Sequence, residues 1–429
     1  MSAPLSARSA GRRFVGLTAL RWLPVGIAAP ITVLLASSRG LSPADIGLVL
    51  AVYSVVTLLL ELPTGGLADA IGHRPVLVLS GLLAAASLLT MAVADSVPLF
   101  ALAWGLQGAS RALDSGPLEA WYVDTVHAAD PDADPATGLS RAGAADGLGL
   151  ALGAALGGAL PLLAEGGGSA ALVLPLLLAA ALVVVSVVAV AVLVVPLPTA
   201  PTGGLRALAT GVREVPVVVR DTVRLASRHR VLRRLLVISF LTGTALTTLE
   251  VLGPLWFADL GGGLDRGAAV YGVVMAVSFA AAGLGALLAP AARRLARGSV
   301  AWASLLTAVV CALAVVGVAL AGHVAVAAVA FVVFYLANGA GWPLRQALMH
   351  EQVSAAQRST TVSAKSVALM LGGGLGSLLL PRLADAAGLP AGFLAGAVAV
   401  LLIGVVSLGL RPAEAQGETA RRIAAGASG

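Results

Sequence analysis

Long apolar runs set the strongest limit on how this chain can fold. An α-helix needs about 20 mostly apolar residues to cross the hydrocarbon core of a bilayer. Only 11% of the 429 residues are charged and 59% are hydrophobic, whereas about 25% of a soluble chain is charged. The pattern predicts an all-α membrane protein with twelve transmembrane helices, at residues 14–37, 44–66, 75–94, 97–118, 139–163, 170–195, 233–257, 268–290, 299–321, 323–344, 360–382 and 390–410.

The twelve runs form two groups of six, separated by a basic segment. We expect an N-terminal six-helix half at 1–195, a cytoplasmic linker at 196–232, a C-terminal six-helix half at 233–410 and a cytoplasmic tail at 411–429. Within the linker, apolar residues of 205–229 recur near helical spacing between arginines. Such a pattern predicts an amphipathic helix that lies on the inner leaflet.

The basic residues indicate how the chain is oriented in the membrane. Of the 27 basic residues, 22 fall on the side that holds both termini, and only Arg39, Arg266 and Arg382 fall on the other side. The larger group includes Arg345, which lies between the tenth and eleventh runs, and Lys365, which lies near the start of the eleventh run and is expected at the membrane interface. Because basic loops stay in the cytoplasm, both termini are predicted to be cytoplasmic. Topology and lipid contact then account for the net charge of +6, so no nucleic-acid partner is expected.

Composition also bears on the source and on the start of the chain. Lys365 is the only lysine, and Ala, Val, Leu and Gly are abundant, which is typical of GC-rich bacterial genomes. We therefore expect a multi-pass protein of the bacterial plasma membrane. The first apolar run follows basic residues but has no small-residue cleavage site, so it is interpreted as a retained span. At the second run, Ser42, Pro43 and Asp45 predict a capped helix start.

The polar stretch at residues 61–74, ELPTGGLADAIGHR, is the most specific motif of the chain. It resembles the G-x-L-A-D-x-x-G-R-K loop of the major facilitator superfamily, with matching residues at Gly65, Asp69, Gly72 and Arg74. The resemblance implies a twelve-helix fold in two halves and transport by alternating access. It also implies that Asp69 forms a gate contact with a helix N-terminus in the other half, with Arg74 as its basic neighbour. His73 stands where the family usually has Arg or Lys.

Small residues form a second pattern, in the fifth run. Gly149, Gly153 and Gly157 recur every four residues and Gly158 follows, so one helix face permits close approach of another helix. The run resembles the G-x-x-x-G-P-x-x-G-G motif of bacterial twelve-span drug:proton antiporters, with Ala154 in place of the proline. The resemblance favours export, and generic close packing is the alternative.

Charged residues inside the apolar runs form the third signal. Each costs about 2.5–3.5 kcal/mol at mid-helix on the insertion scale, so a functional or paired role is expected. The candidate proton carriers are Glu250, Asp114 and Asp146, in that order, together with Glu61. Glu250 comes first because it has no basic partner nearby in sequence, whereas Asp114 can face Arg111 on the same helix. The alternatives are a static Arg111–Asp114 pair and a Glu250 side chain that reaches the outer interface.

In the superfamily the first, fourth, seventh and tenth spans line a central cavity, which suggests where substrate binds. The candidate cavity residues on the corresponding runs are Arg21, Trp22, Gln107, Arg111, Tyr335, Asn338 and Trp342. Interfacial anchoring is the alternative for the two tryptophans. The fourth run departs from the family pattern Arg-x-x-Gln-Gly, because Trp104 replaces the arginine and Arg111 comes about two turns later.

These features together predict a secondary active transporter that exports a small organic compound, such as a drug or a secondary metabolite, in exchange for protons. Uptake by proton symport is the first alternative, although the cavity runs are poor in Asn, Gln and Tyr, which counts against sugars. A non-transporting membrane receptor is the second. The expected partners are the substrate, protons and the lipid bilayer, and the chain is expected to act as a monomer.

An enzyme is not expected. The sequence has no P-loop, and its five histidines show no metal-ligand spacing, so we expect neither a cofactor nor a metal. Asp130, Asp132 and Asp134 alternate in a loop rich in proline. We interpret them as solvated loop residues, with a cation site as the alternative.

Overall fold

The computed structural model describes residues 5–64, 67–164, 168–196, 220, 230–352 and 358–411. Within these ranges the secondary structure is helical, and eleven helices are long and apolar enough to cross a membrane. The twelfth predicted span corresponds to the 18-residue helix Val97–Asp114, whose hydropathy is lowered by its own polar and charged residues. Each predicted span thus matches a helix, and the all-α membrane fold is confirmed.

In the described part of the chain, nine helices precede the central segment. They are α1 (Ala7–Ala28), α2 (Thr32–Ser38), α3 (Pro43–Thr64), α4 (Leu67–Ile71), α5 (His73–Val93), α6 (Val97–Asp114), α7 (Pro117–Ala129), α8 (Ala136–Ala159) and α9 (Gly168–Leu193). Helices α1 and α2 together supply the first predicted span, and a 3-10 turn at Leu160–Leu163 extends α8.

Seven helices of the described ranges follow the central segment. They are α10 (Arg230–Thr247), α11 (Gly253–Gly261), α12 (Leu264–Leu295), α13 (Val300–Ala319), α14 (Val324–Gln352), α15 (Arg358–Ala387) and α16 (Leu389–Leu408). A π-helical turn at Thr248–Leu252 joins α10 to α11, so the seventh span is not a uniform α-helix. The amphipathic helix predicted for 205–229 lies outside the described residues, apart from residue 220.

The start of α3 shows how a short polar motif sets a helix boundary. The Ser42 hydroxyl accepts a hydrogen bond from the Asp45 backbone N–H at 3.2 Å, and the Asp45 carboxylate accepts one from the Ser42 backbone N–H at 3.1 Å. These reciprocal bonds satisfy two donors that the helix itself leaves unpaired. The predicted capped start is confirmed, with Pro43 as the first helical residue.

The fourth span ends earlier than the apolar pattern predicts. Gly116 adopts a left-handed backbone with φ 101°, and Pro117 begins α7 instead of continuing α6. A left-handed residue interrupts the helix, and a proline ring is tolerated only in the first turn of the next one. The predicted span 97–118 therefore corresponds to α6 alone. Helix α7 packs on α1, where the rings of Phe14 and Tyr122 stack with centroids 4.5 Å apart.

The described residues belong to two compact units. The first unit draws on Met1–Pro216 and Phe257–Ala276, and the second on Val217–Trp256 and Val277–Gly429. In the first unit, α1 packs extensively against α8, and α5 lies between α6 and α9. In the second, α13 packs against both α14 and α16, while α10 packs against α15. Each unit thus carries its own set of polar side chains on apolar helices.

Candidate functional site

An ion pair joins α1 to the end of α6 in the first unit. The guanidinium of Arg21 contacts the carboxylate of Asp114, and their side chains are only 13% and 29% exposed. Asp114 is the last residue of α6, where the helix dipole disfavours a negative charge, so a cation from another helix stabilises it. The sequence spacing favoured Arg111 as the partner of Asp114, and the structure corrects this expectation.

Arg111 instead lies against an aromatic ring and near a second carboxylate. Its guanidinium carbon is 5.9 Å from the centroid of the Trp22 ring, a cation–π distance. It is also within electrostatic range of Asp146 on α8. One carboxylate oxygen of Asp146 is buried and has no hydrogen-bond partner among the described residues. We call Arg21, Arg111, Asp114 and Asp146 the charge cluster.

Two adjoining pockets open onto the charge cluster. Both are lined by Arg21, Trp22, Arg111 and Asp114, and one also reaches Gln107 while the other reaches Asp146. The candidates that the sequence named on the first, fourth and fifth spans therefore meet in one place within the first unit. Their positions suit binding of a small molecule that carries both polar and apolar groups.

Three further residues line these pockets but were not predicted from the sequence: Tyr53, Ser110 and Glu119. Tyr53 packs edge-on against Trp104 with ring centroids 6.0 Å apart. Glu119 follows the break at Gly116 and lies beyond the end of the predicted fourth span at 118. It was therefore not considered as a residue of the site. Glu61, the remaining candidate carboxylate of this unit, is partly buried in the last turns of α3.

In the second unit, Glu250 and Tyr335 form another polar group. Glu250 lies in the π-helical turn at the end of α10, and its side chain is exposed at the surface of this unit. Tyr335 on α14 is within electrostatic range of Glu250. Its hydroxyl is buried and has no hydrogen-bond partner among the described residues. Single π-helical turns occur often at functional sites, which fits the ranking of Glu250 as a candidate.

Further along α14, the structure corrects the predicted loop position of Arg345, whereas Lys365 lies in the predicted eleventh span. Arg345 is buried inside α14, and its side chain, with that of Asn338, lines a pocket. Lys365 lies in α15, with its ammonium nitrogen 4.6 Å from the centroid of the Trp342 ring. The predicted tenth span stops at 344 because Arg345 ends the apolar run, yet α14 continues to Gln352.

The loop motif is only partly described. Gly72 has φ 90° and precedes α5, a backbone conformation that glycine adopts without strain. The buried His73 ring places its Nε2 3.2 Å from a carboxylate oxygen of Asp124 on α7. Gly65 and the side chain of Asp69 lie outside the described residues, so the gate contact stays a prediction, as does the role of Arg74 as a neighbour of Asp69.

The glycines of α8 lie against two other helices. A Cβ atom at Gly149, Gly153 or Gly157 would meet the backbone of α1, and one at Gly158 would meet the backbone of α12, 2.9 Å from the Cα of Gly272. These positions therefore require the absence of a side chain. The close packing expected from the glycine spacing is confirmed, whereas its meaning for export is not tested by it.

Carboxylates of the acidic loop before α8 accept local hydrogen bonds from the backbone. Asp130 accepts a bond from the backbone N–H of Asp132, and Asp134 accepts one from that of Ala136; all are exposed bonds. Among the described residues, no group of three or more His, Cys, Asp or Glu side chains could hold a metal ion. These observations agree with a solvated loop.

Comparison with known proteins places this arrangement in a family. The family model for the Major Facilitator Superfamily matches residues 14–339. No curated protein matches the chain by sequence. Similar solved structures include the nucleoside transporter NupG, with a TM-score of 0.71 and 13% identity over 94% of this chain and 98% of that one. The peptide transporter POT in complex with sulfate has a TM-score of 0.72 and 16% identity over 94% of each chain.

A third similar structure is that of a human protein. The human organic anion transporter MFSD10 (TETRAN) has a TM-score of 0.61 and 19% identity, over 94% of this chain and 99% of that one. At such low identity, these three structures show a shared fold and say nothing about a shared substrate. They agree with the twelve-helix architecture described above.

Proposed function

Because this chain belongs to the Major Facilitator Superfamily, we propose that it is a proton-coupled exporter of a small organic compound. The family and the similar solved structures make it a multi-pass membrane transporter with a small-molecule substrate, and not an enzyme. The proposal adds proton coupling, the direction of export, action as a monomer, and a place in the bacterial plasma membrane with cytoplasmic termini. It includes no nucleic-acid partner.

The charge cluster is the observation that carries proton coupling. Burial in a poorly hydrated pocket favours the neutral form of a carboxylic acid, and a nearby arginine favours the charged form. Substrate that draws Arg21 or Arg111 away from Asp114 or Asp146 would favour the neutral form of that carboxyl group, which would then bind a proton. Return of the arginine would favour the charged form and release the proton. Charges buried on membrane-spanning helices are costly, so a transport role gives a reason for this cluster.

We propose Glu250 as the first proton carrier, ahead of Asp114, Asp146 and Glu61. Its place in a π-helical turn allows the local backbone to change, because such a turn relaxes to regular α-helix by shifting hydrogen-bond partners. The nearby Tyr335 hydroxyl, which is buried without a described partner, can relay a proton by releasing its own as it accepts another. Asp69 would act at the gate, together with Gly65, Gly72 and Arg74.

The glycine face of α8 supports export. Its resemblance to the antiporter motif is accompanied here by contacts with α1 and α12 that leave no room for side chains. Small residues let helix backbones approach closely, and this close approach is the structural counterpart of the antiporter-like pattern. The missing proline at Ala154 leaves α8 unbroken from Ala136 to Ala159.

The test uses everted membrane vesicles with an acidic lumen. A quenching dye would report the lumenal pH while cationic, neutral and anionic compounds are added one at a time. We expect at least one compound to reduce the lumenal acidity, and we expect Glu250→Gln and Asp69→Asn to abolish that response. Asp385→Asn is the matched control, because Asp385 is exposed near the end of α15.

The outcomes separate the alternatives. Proton release that survives Glu250→Gln would move the carrier role to Asp114 or Asp146. A compound that drives proton entry into right-side-out vesicles, with no effect in everted ones, would replace export by uptake through symport. Proton movement in neither orientation, with any compound, would contradict proton coupling and favour the receptor alternative.

A further inference from the structure

Arg345 and Lys365 are neighbouring cations of the second unit for which the described residues supply no counter-ion. Arg345 is only 8% exposed, and its guanidinium lies beside Gly341 and Thr307. Lys365 is half-buried on α15 and lies close enough to Arg345 for the two charges to repel each other. Among the described residues, neither cation forms an ion pair with a carboxylate. Two like charges are thus held together inside apolar helices.

The described carboxylates of this unit are too distant to neutralise the pair. Asp385 lies 20 residues beyond Lys365 on α15, which is about 30 Å along a helix. Glu250 is within electrostatic range of Tyr335, and Tyr335 is ten residues, or about 15 Å, from Arg345 on α14. Because a buried cation without a counter-ion is unfavourable, an anion that binds beside Arg345 and Lys365 would stabilise the pair.

The two cations line a narrow cavity of about 20 Å³, so a small oxyanion group could enter only as the cavity widens around it. Arg345 and Lys365 line it together with Ser239, Thr242 and Trp342, and a second pocket at Arg345 adds Asn338. The Ser239 and Thr242 hydroxyls donate to carbonyls of their own helix. Among the described residues, the donors of this site without an acceptor are the guanidinium, the ammonium and the Asn338 amide. The planar Arg345 guanidinium beside the compact Lys365 ammonium can donate hydrogen bonds to the oxygens of an oxyanion.

We infer that this pocket, which we call the basic pocket, binds a carboxylate, sulfonate or phosphate group. The Trp342 ring, which makes a cation–π contact with Lys365, supplies an apolar wall for the rest of an organic anion. If the bound anion is the substrate of the proposed transporter, that substrate carries a negative charge. Only this identification of the anion as substrate rests on the proposed function. An anionic lipid headgroup offers the same chemistry.

Binding can be measured without a proton gradient, so the result is independent of the transport test. The thermal unfolding midpoint of the full chain in detergent would be followed with sodium benzoate and with neutral benzamide, at equal ionic strength. A ligand that binds only the folded state raises this midpoint. We expect a rise with benzoate alone. Arg345→Gln and Lys365→Gln should each require at least a tenfold higher benzoate concentration for the same rise.

Arg382→Gln is the matched control, because it removes an exposed cation from the same helix as Lys365, and it should leave the benzoate effect unchanged. A second arm compares nanodiscs of phosphatidylglycerol and phosphatidylcholine. A rise caused by phosphatidylglycerol alone, and lost in both pocket variants, would support the oxyanion site and assign it to lipid. The inference would be overturned if benzoate and benzamide changed the unfolding midpoint equally and phosphatidylglycerol had no effect. It would also be overturned if the effects of the anions on the midpoint persisted in both pocket variants.

Discussion

At the scale of single residues, the Arg21–Asp114 pair offers a direct measure of what the charge cluster contributes to stability. Asp114→Asn leaves the Arg21 charge half-buried without its partner, and breaking a buried pair in this way costs about 3–5 kcal/mol. Because these side chains retain some exposure, we expect the lower end, about 3 kcal/mol. The free energy of unfolding would be measured by denaturant titration in detergent micelles.

Two variants complete this test. Asp132→Asn, which removes an exposed loop carboxylate, should change the free energy of unfolding by less than about 0.5 kcal/mol. The double variant Arg21→Gln with Asp114→Asn should recover most of the loss, because no unpaired charge remains. A double variant that is as unstable as the sum of the two single changes would show that the two side chains do not interact.

The residues of the candidate site were predictable to different degrees. The cost of a buried charge singled out Arg21, Asp114 and Glu250 from the sequence alone. The partner of Asp114 was not predictable, because spacing reveals only neighbours on the same helix, whereas Arg21 reaches it from α1. Arg345 was missed for a related reason: an arginine at the edge of an apolar run resembles the first residue of a loop.

At the scale of helices, the contact between α1 and α8 depends on glycine at specific positions. A Cβ at Gly157 would lie 2.8 Å from the backbone carbonyl carbon of Ile27, whereas one at Gly147 on the same helix would meet nothing within 4 Å. We expect Gly157→Ala to lower the free energy of unfolding by about 1–3 kcal/mol through overpacking. Gly147→Ala should raise it by about 0.5–1 kcal/mol, because alanine favours the helix.

Denaturant unfolding of both variants in the same detergent would give this comparison. Equal effects of the two substitutions would contradict the close packing of α1 on α8, since they add the same methyl group to the same helix. A loss of transport in Gly157→Ala with unchanged stability would instead assign the glycine face to helix movement.

Helix existence was easier to predict than helix interruption. The twelve spans followed from length and hydropathy, and the start of α3 followed from the reciprocal hydrogen bonds of Ser42 and Asp45. The break between α6 and α7 depends on one left-handed glycine, and many glycines in this chain lie within unbroken helices. The π-helical turn at Glu250 leaves no trace in the apolar pattern, because one extra residue per turn does not change the composition.

At the scale of the whole molecule, the distribution of arginines predicts the orientation in the membrane. Leaving out Arg345 and Lys365, which both lie within helices, 20 basic residues remain on the side of the termini and three on the other side. The asymmetry that orients membrane proteins therefore survives the correction. Since export and uptake are defined relative to the cytoplasm, the proposed direction of transport depends on this orientation.

Single-cysteine labelling tests the orientation. Cys311, the only cysteine, is buried, and Cys311→Ala gives a background without thiols. In that background we expect Asp95→Cys, between α5 and α6, to react with a membrane-impermeant maleimide on intact cells. Asp132→Cys, between α7 and α8, should react only after lysis. Both positions are exposed, so a difference reports the side of the membrane, and the reverse pattern would place the termini outside.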